Sequence, residues 1–351
     1  MAEPARAAPA VPNPAGEPGT GFGLYVHWPF CQAKCPYCDF NSHVVSRIDQ
    51  RQWAEALALE IAAVAERTGD RILTSVFFGG GTPSLMTGDT LHRVMDAIRR
   101  GWRCANDLEV TLEANPTSVE AARFAAYRDV GVTRLSLGVQ ALNDTDLRRL
   151  GRLHSADEAR AAFDIARDRF DRISFDLICA RQDQTPEAWA AELDAALHLA
   201  ADHLSLYQLT VEPGTAFADR LARGGLRGLP DEDIAAELYE MTVAACEAAG
   251  LLLYEVSNFA RPGAECRHNM TYWNAEPYLG IGPSAVSTLH HNGTAVRYTQ
   301  PADHTRYLRR PSVFHCARES LSPAQTRTEG IMLAMRRPEG ITRSRLTAGR
   351  T

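Results

Sequence analysis

The chain has 351 residues, of which 45% are hydrophobic and 23% are charged, and its formal net charge is −6. This composition predicts one large α/β domain with a smaller one appended, and it excludes a chain that is disordered throughout. No apolar run reaches the roughly 20 residues that span a bilayer. The chain is acidic overall and contains no long run of Lys and Arg residues. We therefore expect no transmembrane segment and no nucleic-acid partner, while peripheral membrane association stays open.

Residues 1–20 are rich in Ala, Pro and Gly and lack the basic and apolar regions of a signal peptide, so we predict a disordered tail. Of the eight cysteines, three lie within eight residues and five are scattered. Without a secretion signal, this distribution favours ligand thiolates in a reducing cytoplasm over a disulfide framework. The sequence thus predicts a cytoplasmic protein with a cysteine-ligated centre.

Short β-rich runs alternate with amphipathic helical stretches from residue 21 to residue 228. The predicted strands are 24–28, 72–78, 108–113, 134–139, 173–178 and 204–209, and the predicted helices include 50–67, 91–100, 119–129, 157–169 and 187–200. Ser155 and Glu158 have capping-box spacing, and Thr185 precedes a proline at the first helical position. This alternation requires a parallel sheet with right-handed crossovers, and six units are too few for a closed eight-stranded barrel. We predict an α/β fold with a partial (β/α)6 TIM-like barrel; a doubly wound sheet is the alternative.

The pattern changes at residue 229. A helix predicted over 231–249 precedes a stretch dense in polar and aromatic residues, 254–298, which we expect to be rich in loops; a short helical tail follows. These features predict a second domain over residues 229–351, a smaller α/β or helical module.

Three cysteines, Cys31, Cys35 and Cys38, follow the first predicted strand with C-x3-C-x2-C spacing. Three thiolates can hold one face of a 4Fe-4S cluster and leave the fourth iron without a protein ligand. An open iron suits an exchangeable cofactor or substrate. The alternative is a zinc site completed by Asp39, His43 or a distant residue, although structural zinc more often uses paired C-x2-C knuckles and no second knuckle is present.

The stretch from Tyr25 to Cys38, which reads Y-V-H-W-P-F-C-Q-A-K-C-P-Y-C, resembles the radical S-adenosylmethionine superfamily. Within it, the stretch is similar to the coproporphyrinogen-oxidase branch, which includes the oxygen-independent oxidase and the HemW-type haem chaperones. The resemblance extends from about Leu24 to the end of the chain. It implies a 4Fe-4S cluster, S-adenosylmethionine as cofactor, and an electron donor for the cluster.

Polar residues or glycines stand at the end of five predicted strands, where parallel α/β folds bind their ligands. Carboxylates and an amide suit ribose hydroxyls and an ammonium group, and a guanidinium suits a carboxylate, although each residue alone could be a cap or a surface group. The resemblance assigns contacts with S-adenosylmethionine to Tyr25, Tyr37, Gly80, Gly81, Thr82, Glu113, Gln140, Arg152 and Asp176. The family often has Gly-Leu-Pro-Gly after the Asp176 strand, whereas this chain reads C-A-R-Q-D-Q-T over residues 179–185. Four of the other five cysteines, Cys104, Cys179, Cys246 and Cys316, are interpreted as structural.

Two features separate the branches of the family. The oxidase has Gly-Cys directly after the third cluster cysteine, whereas this chain has Asp39-Phe40, as the HemW-type branch implies. The segment 266–273 resembles the H-N-x-x-Y-W motif with which that branch binds haem, which implies haem contacts for His268, Asn269, Tyr272 and Trp273. Imidazole is a common haem ligand and aromatic rings pack on porphyrins; Cys266 is a weaker candidate ligand. The alternative is that His268 and Trp273 only hold a loop against the barrel.

The resemblance implies a haem chaperone that binds the cluster, S-adenosylmethionine and haem, and delivers haem to haem-requiring proteins such as respiratory enzymes. The alternative is an oxygen-independent coproporphyrinogen III oxidase acting through a 5′-deoxyadenosyl radical, an activity that we expect to be absent. A zinc-stabilised α/β binding protein is the third hypothesis. Residues 329–341 resemble the start of the family's C-terminal helical module, and because the chain stops at Thr351 we expect its last helices to be shortened or absent.

Overall fold

The structure is a computed structural model that describes residues 21–291, 294–309 and 316–341. The tail predicted over residues 1–20 and the last ten residues lie outside these ranges. The strands of the described residues form one sheet of twelve strands.

Six parallel strands form the centre of this sheet in chain order. They are Gly21–Trp28 (β1), Ile72–Gly80 (β2), Arg103–Ala114 (β3), Arg134–Gln140 (β4), Arg172–Cys179 (β5) and His203–Gln208 (β6). Each pairs in parallel with the next, as the alternating strand and helix pattern requires. The six predicted strands are therefore confirmed.

Helices connect these strands, and one more helix follows the last strand. They are Gln50–Thr68 (α1), Gly88–Gly101 (α2), Ser118–Ala121 (α3), Phe124–Val130 (α4), Asp144–Arg149 (α5), Ala156–Arg167 (α6), Pro186–Leu199 (α7) and Ala216–Ala222 (α8), with a 3-10 turn at Pro83–Leu85. The helix predicted over 119–129 is divided into α3 and α4. The capping box at α6 is confirmed, since Ser155 Oγ accepts from Glu158 N at 3.1 Å and Glu158 Oε2 accepts from Ser155 N at 2.9 Å.

The chain after residue 228 extends the same sheet at both edges. Its elements are Glu232–Ala248 (α9), Leu252–Glu255 (β7), Asn258–Ala260 (β8), Arg267–Trp273 (α10), Tyr278–Ile281 (β9), Val286–His291 (β10), Thr294–Thr299 (β11), His304–Arg309 (α11), Ala317–Ser320 (β12) and Pro323–Ala334 (α12). The β8–β7 hairpin continues the sheet beyond β6, whereas β9 pairs in parallel with β1 and leads into the antiparallel β10, β11 and β12. The stretch 254–298, expected to be rich in loops, thus contains strands; the division into two domains stays a prediction.

Side chains alternate between the two faces of the central strands. Val26 and Trp28 of β1 join the main hydrophobic core with Trp53 and Leu57 of α1. Tyr25, on the opposite face, stacks on Phe77 of β2 with ring centroids 6.3 Å apart. This second face forms the interior of the open barrel, and α10 packs against it over β1 and β2.

Candidate functional site

A cavity of about 170 Å3 opens at the carboxyl ends of the parallel strands. Its lining includes the three clustered cysteines and every residue assigned to S-adenosylmethionine except Tyr25: Cys31, Cys35, Cys38, Tyr37, Gly80, Gly81, Thr82, Glu113, Gln140, Arg152 and Asp176. These residues come from the ends of five strands and the loops after them. The topology brings them together because parallel strands end at one edge of the sheet.

The cysteine loop is held in place by backbone hydrogen bonds at both ends. Cys31 N donates to His43 O at 3.0 Å, and Phe217 N donates to Pro36 O at 2.8 Å. Burial raises the pKa of the Cys31 and Cys38 thiols, and the neighbouring cysteines add to this effect. Metal coordination removes such protons because the ligand is the thiolate.

Polar side chains around the cavity donate to the cysteine sulfurs. Arg152 Nη1 lies 3.3 Å from Cys35 Sγ, and Thr82 Oγ1 lies 3.5 Å from Cys31 Sγ. A cation and a hydroxyl donor both favour the thiolate over the thiol. The donor set therefore fits a thiolate-ligated cluster with three protein ligands.

The glycine run after β2 touches the cysteine loop. Gly80 has a φ of 111°, and a Cβ on Gly81 would lie 2.6 Å from Phe30 O. Thr82 N donates to the same Phe30 carbonyl at 2.7 Å. Residues without a side chain are needed here because the two backbones approach so closely.

Two acidic side chains, Glu113 and Asp176, lie in the floor of the cavity. Burial raises the pKa of Glu113 to about 8, and the neighbouring Asp176 carboxylate adds to the rise. Burial likewise raises the pKa of Asp176 to about 6, opposed by hydrogen bonds from Ser205 and Ser136 and by the charge of Arg152. At neutral pH the pair therefore retains a proton, and a bound cation would favour its release.

Arg152 crosses the cavity from the loop after α5. Its Nη2 donates to Asn115 Oδ1 at 2.6 Å and to Gly138 O at 2.7 Å, while Nη1 faces Cys35. Its Nε is buried and has no partner within the described residues. A carboxylate ligand in the cavity could accept from this donor.

Asn115 is a further site residue, which the sequence pattern alone did not predict. It lies two residues after Glu113, lines the cavity, and donates from Nδ2 to Thr82 Oγ1 at 3.3 Å. Side chains two residues apart along a strand lie on the same face. Extending this period by one step from Glu113, past the end of β3, would have identified Asn115.

Tyr25 lies below the cavity rather than in its lining. Its hydroxyl shares a 3.0 Å hydrogen bond with His27 Nδ1, and His27 Nε2 bonds Asn41 O at 2.9 Å. Tyr25 thus supports the segment that follows the cysteines.

The H-N-x-x-Y-W segment forms α10 in the barrel interior. His268 is 1% exposed; its Nδ1 shares a hydrogen bond with Ser75 Oγ at 3.1 Å and its Nε2 one with Tyr272 Oη at 2.8 Å. Burial lowers the pKa of His268 to about 3, so its ring is neutral. Asn269 Nδ2 donates to Tyr254 Oη at 3.2 Å.

The other residues assigned to this segment differ in exposure. Trp273 is half-buried, whereas the thiol of Cys266 is buried 3.5 Å from Glu109 Oε1. The structure places the segment beneath the cavity, among Tyr25, Phe77 and Ser75.

The zinc alternative needed a further ligand beside the cysteines. Over the described ranges, no group of three or more His, Cys, Asp or Glu side chains is placed to hold a single metal ion. His43 instead bonds Asn41 Oδ1 at 3.2 Å, and its ring lies 4.3 Å from that of His304. In the same ranges, no helix has the length and apolar character needed to cross a membrane.

Comparison with known proteins gives a consistent result. The Radical SAM superfamily profile matches residues 25–196. The heme chaperone HemW of Mycobacterium tuberculosis is 37% identical over 350 residues, covering 98% of this chain and 89% of that protein. The bovine mitochondrial radical S-adenosyl methionine domain-containing protein 1 is 44% identical over 75% of this chain, which spans only 59% of that relative's length.

Among solved structures, the coproporphyrinogen III oxidase HemN of Escherichia coli superposes with a TM-score of 0.77 at 24% identity, covering 92% of this chain and 77% of the oxidase. This likeness concerns the fold. It confirms the predicted α/β architecture with a partial TIM-like barrel, which stays open because strands β7 and β12 end the sheet.

Proposed function

This chain belongs to the HemW family of the radical S-adenosylmethionine superfamily, and from that membership we propose that it is a haem chaperone. It binds a 4Fe-4S cluster, S-adenosylmethionine and haem, and it delivers haem to haem-requiring proteins, respiratory enzymes among them. The observation that carries the proposal is the single cavity shared by the cysteine loop, the acidic pair and Arg152. The near full-length similarity to a HemW chaperone supports it.

Cys31, Cys35 and Cys38 are the residues that would hold the cluster. When bound, the cluster supplies an open iron and an electron to the cofactor. Arg152, which donates to Cys35 Sγ, and Thr82, which donates to Cys31 Sγ, favour the thiolate forms. An electron donor for the cluster is a required partner.

The polar groups around the cavity suit the charges of S-adenosylmethionine. Its sulfonium and ammonium groups are cations that the Glu113 and Asp176 carboxylates attract, and its carboxylate can accept from Arg152 Nε. The cofactor can approach the backbone closely at Gly80, Gly81 and Thr82. The side chains of Gln140 and Tyr37 line the remaining part of the cavity wall. Tyr25 acts on this site through His27 and Asn41.

Haem binding is assigned to the region of α10, which contains His268, Asn269, Tyr272 and Trp273. Tyr272 contributes an aromatic surface, and His268 holds the Tyr272 hydroxyl in place. We place the protein in the cytoplasm, where thiolate ligands stay reduced.

The competing activity is decarboxylation of coproporphyrinogen III. Phe40 argues against this activity, because it occupies the position where the family's oxidase has a cysteine. Its side chain lines the cavity and is 58% exposed. A chaperone has no need of that fourth cysteine.

Anaerobic reconstitution followed by three measurements on one preparation tests the proposal. We expect close to four iron and four sulfide per chain, about one haem per chain, and no protoporphyrinogen IX from coproporphyrinogen III with S-adenosylmethionine and reductant present. Formation of protoporphyrinogen IX would favour the oxidase. A stoichiometric zinc content without iron uptake would contradict both activities. The intact cluster in the same sample is the control for a negative turnover assay.

A further inference from the structure

Three residues with left-handed backbone lie close to one buried side chain, that of Arg181. They are Gln140 at the end of β4, with a φ of 73°, and Ala180 and Asp183 in the loop after β5, with φ values of 57° and 56°. Together they are three of the five non-glycine residues with positive φ in the described ranges. Such conformations are strained for a residue with a Cβ and persist only where the surrounding contacts impose them.

The loop after β5 keeps a glycine-type backbone without its glycines. The Gly-Leu-Pro-Gly that the family often has here places two glycines three positions apart, which is also the spacing of Ala180 and Asp183. Because neither residue has the conformational freedom of glycine, other contacts must hold this loop.

Acidic side chains hold the Arg181 guanidinium, which is 3% exposed. Its Nη2 donates to Glu192 Oε2 and lies 3.0 Å from Asp146 Oδ2, while its Nη1 donates to Glu192 Oε1 at 3.4 Å. Glu192 belongs to α7, and its side chain is also buried. A buried pair of this kind keeps one orientation, because separating its members would leave a charge without a partner.

The Arg181–Glu192 pair binds the backbone on both sides of Ala141. Arg181 Nη1 donates to Gln140 O at 3.3 Å, and Glu192 Oε1 accepts from Leu142 N at 2.6 Å. These two bonds fix the peptide groups that flank Ala141. They therefore oppose relaxation of Gln140 from its left-handed conformation.

The side chain of Gln140 lines the cavity at the cysteine loop. Its amide lies beside Arg152, since a Cβ on Gly138 would be 3.2 Å from Gln140 Nε2 and 3.3 Å from Arg152 Nη2. Arg181 and Glu192 instead line a separate cavity of about 370 Å3, bordered by α5, α6 and α7, which has no lining residue in common with the first. The pair therefore acts on a ligand in the first cavity through the backbone at Gln140 and does not touch it.

We infer that Arg181 and Glu192 are positioning residues for S-adenosylmethionine binding. The pair holds Gln140 in left-handed backbone and so keeps its amide beside Arg152 in the cofactor cavity. The inference rests on the proposed cofactor site and adds to it two residues that lie outside its lining.

A double-mutant cycle with Gln140 tests this by anaerobic calorimetry of S-adenosylmethionine binding to the reconstituted chain. Arg181→Leu combined with Glu192→Gln removes both buried charges and keeps an acceptor for Leu142 N, so no charge is left buried and unpaired. We expect affinity to fall about tenfold at unchanged iron content, because a relaxed Gln140 lowers the population of the binding-competent conformation. In a Gln140→Ala background, the same two changes should alter affinity less than about twofold.

Glu192→Ala is the second variant, since it leaves Arg181 paired with Asp146 and removes the acceptor of Leu142 N. It should lower affinity with the same dependence on Gln140. In the cofactor-free protein it should also speed hydrogen exchange at the Leu142 amide. Asp194→Ala, two residues further along α7 at a well-exposed side chain, is the matched control for affinity and for exchange.

The outcomes separate the positioning role from the cofactor site itself. Wild-type affinity in the folded variants would overturn the positioning role. A loss of affinity that is equally large in the Gln140→Ala background would overturn it too, because the pair would then act on the fold as a whole. No S-adenosylmethionine binding by the wild type with an intact cluster would instead contradict the proposed cofactor site.

Discussion

Replacing Glu113 by Gln should remove most of the pH dependence of S-adenosylmethionine binding. In the free protein the pKa of Glu113 is raised to about 8 by burial and by Asp176, so this carboxyl is mostly protonated at pH 6. A cationic ligand in the same cavity favours the ionised form. Binding therefore releases a proton, and affinity increases as pH rises towards 8.

The size of the effect follows from the pKa. Between pH 6 and pH 8 the ionised fraction of Glu113 rises from about 1% to about 50%, so this group alone should raise the apparent affinity about fiftyfold. In Glu113→Gln only Asp176 still titrates, with a pKa of about 6, and its ionised fraction rises about twofold over this range.

Anaerobic calorimetry with the reconstituted protein at pH 6, 7 and 8 provides the measurement. The ligand's own amino group titrates near pH 8, but it does so identically with both proteins, so the difference between them isolates Glu113. Glu66→Gln, an exposed change on α1, is the control and should behave as the wild type.

Two results would refute this reasoning. A wild-type affinity that changes less than threefold from pH 6 to pH 8 would show that Glu113 is already ionised in the free protein. An equally steep pH dependence in Glu113→Gln would show that another group releases the proton.

Four further substitutions, one of them a control, have defined outcomes. Cys38→Ser should abolish the incorporation of four iron atoms per chain, whereas Cys104→Ser should leave it intact. Iron analysis of both variants checks this, and iron retained in Cys38→Ser would contradict the ligand assignment. Arg152→Lys should weaken S-adenosylmethionine binding by roughly tenfold to a hundredfold because the Nε donor assigned to the ligand's carboxylate is lost. Calorimetry at unchanged iron content measures this, and wild-type affinity in the variant would argue against the contact. Glu60→Ala should lower the free energy of unfolding by about 3 kcal/mol, since this buried carboxyl group accepts hydrogen bonds from Gly282 N, Gln300 Nε2 and Tyr307 Oη. Thermal or denaturant unfolding at pH 6 measures this, and a loss under about 1 kcal/mol would contradict the argument.

The wild-type protein should also lose stability as pH rises from about 4.5 to 7, because burial raises the pKa of Glu60 to about 7 and the folded state then holds a proton that the unfolded chain releases. Glu60→Ala should reduce this slope, and an equal slope in the variant would assign it to other groups.

The central parallel strands could be predicted from the sequence because their signals are local. An apolar run and the amphipathic helix that follows it are contained in some thirty residues, and the right-handed crossover rule then decides the pairing. The cysteine motif is local too, since Cys31 and Cys38 are seven residues apart. The strand-end residues Glu113 and Asp176 were placed together by topology alone, because parallel strands end at the same edge.

The region after residue 228 was predicted less well because its contacts are not local. β9 has only four residues and pairs with β1 across most of the chain, so its own pattern could not distinguish a strand from a loop. A four-residue strand gains its stability from its neighbours rather than from its own propensity.

The sequence by itself determined the cysteine cluster, the parallel strand order and the set of polar groups that could meet at the strand ends. Only the tertiary structure decided the environment of each group. The His268 motif identifies a family but does not reveal that Ser75, 193 residues away in the chain, occupies one of the two ring nitrogens. Burial and hydrogen-bond partners are properties of the packed chain, because desolvation depends on every element that surrounds a group.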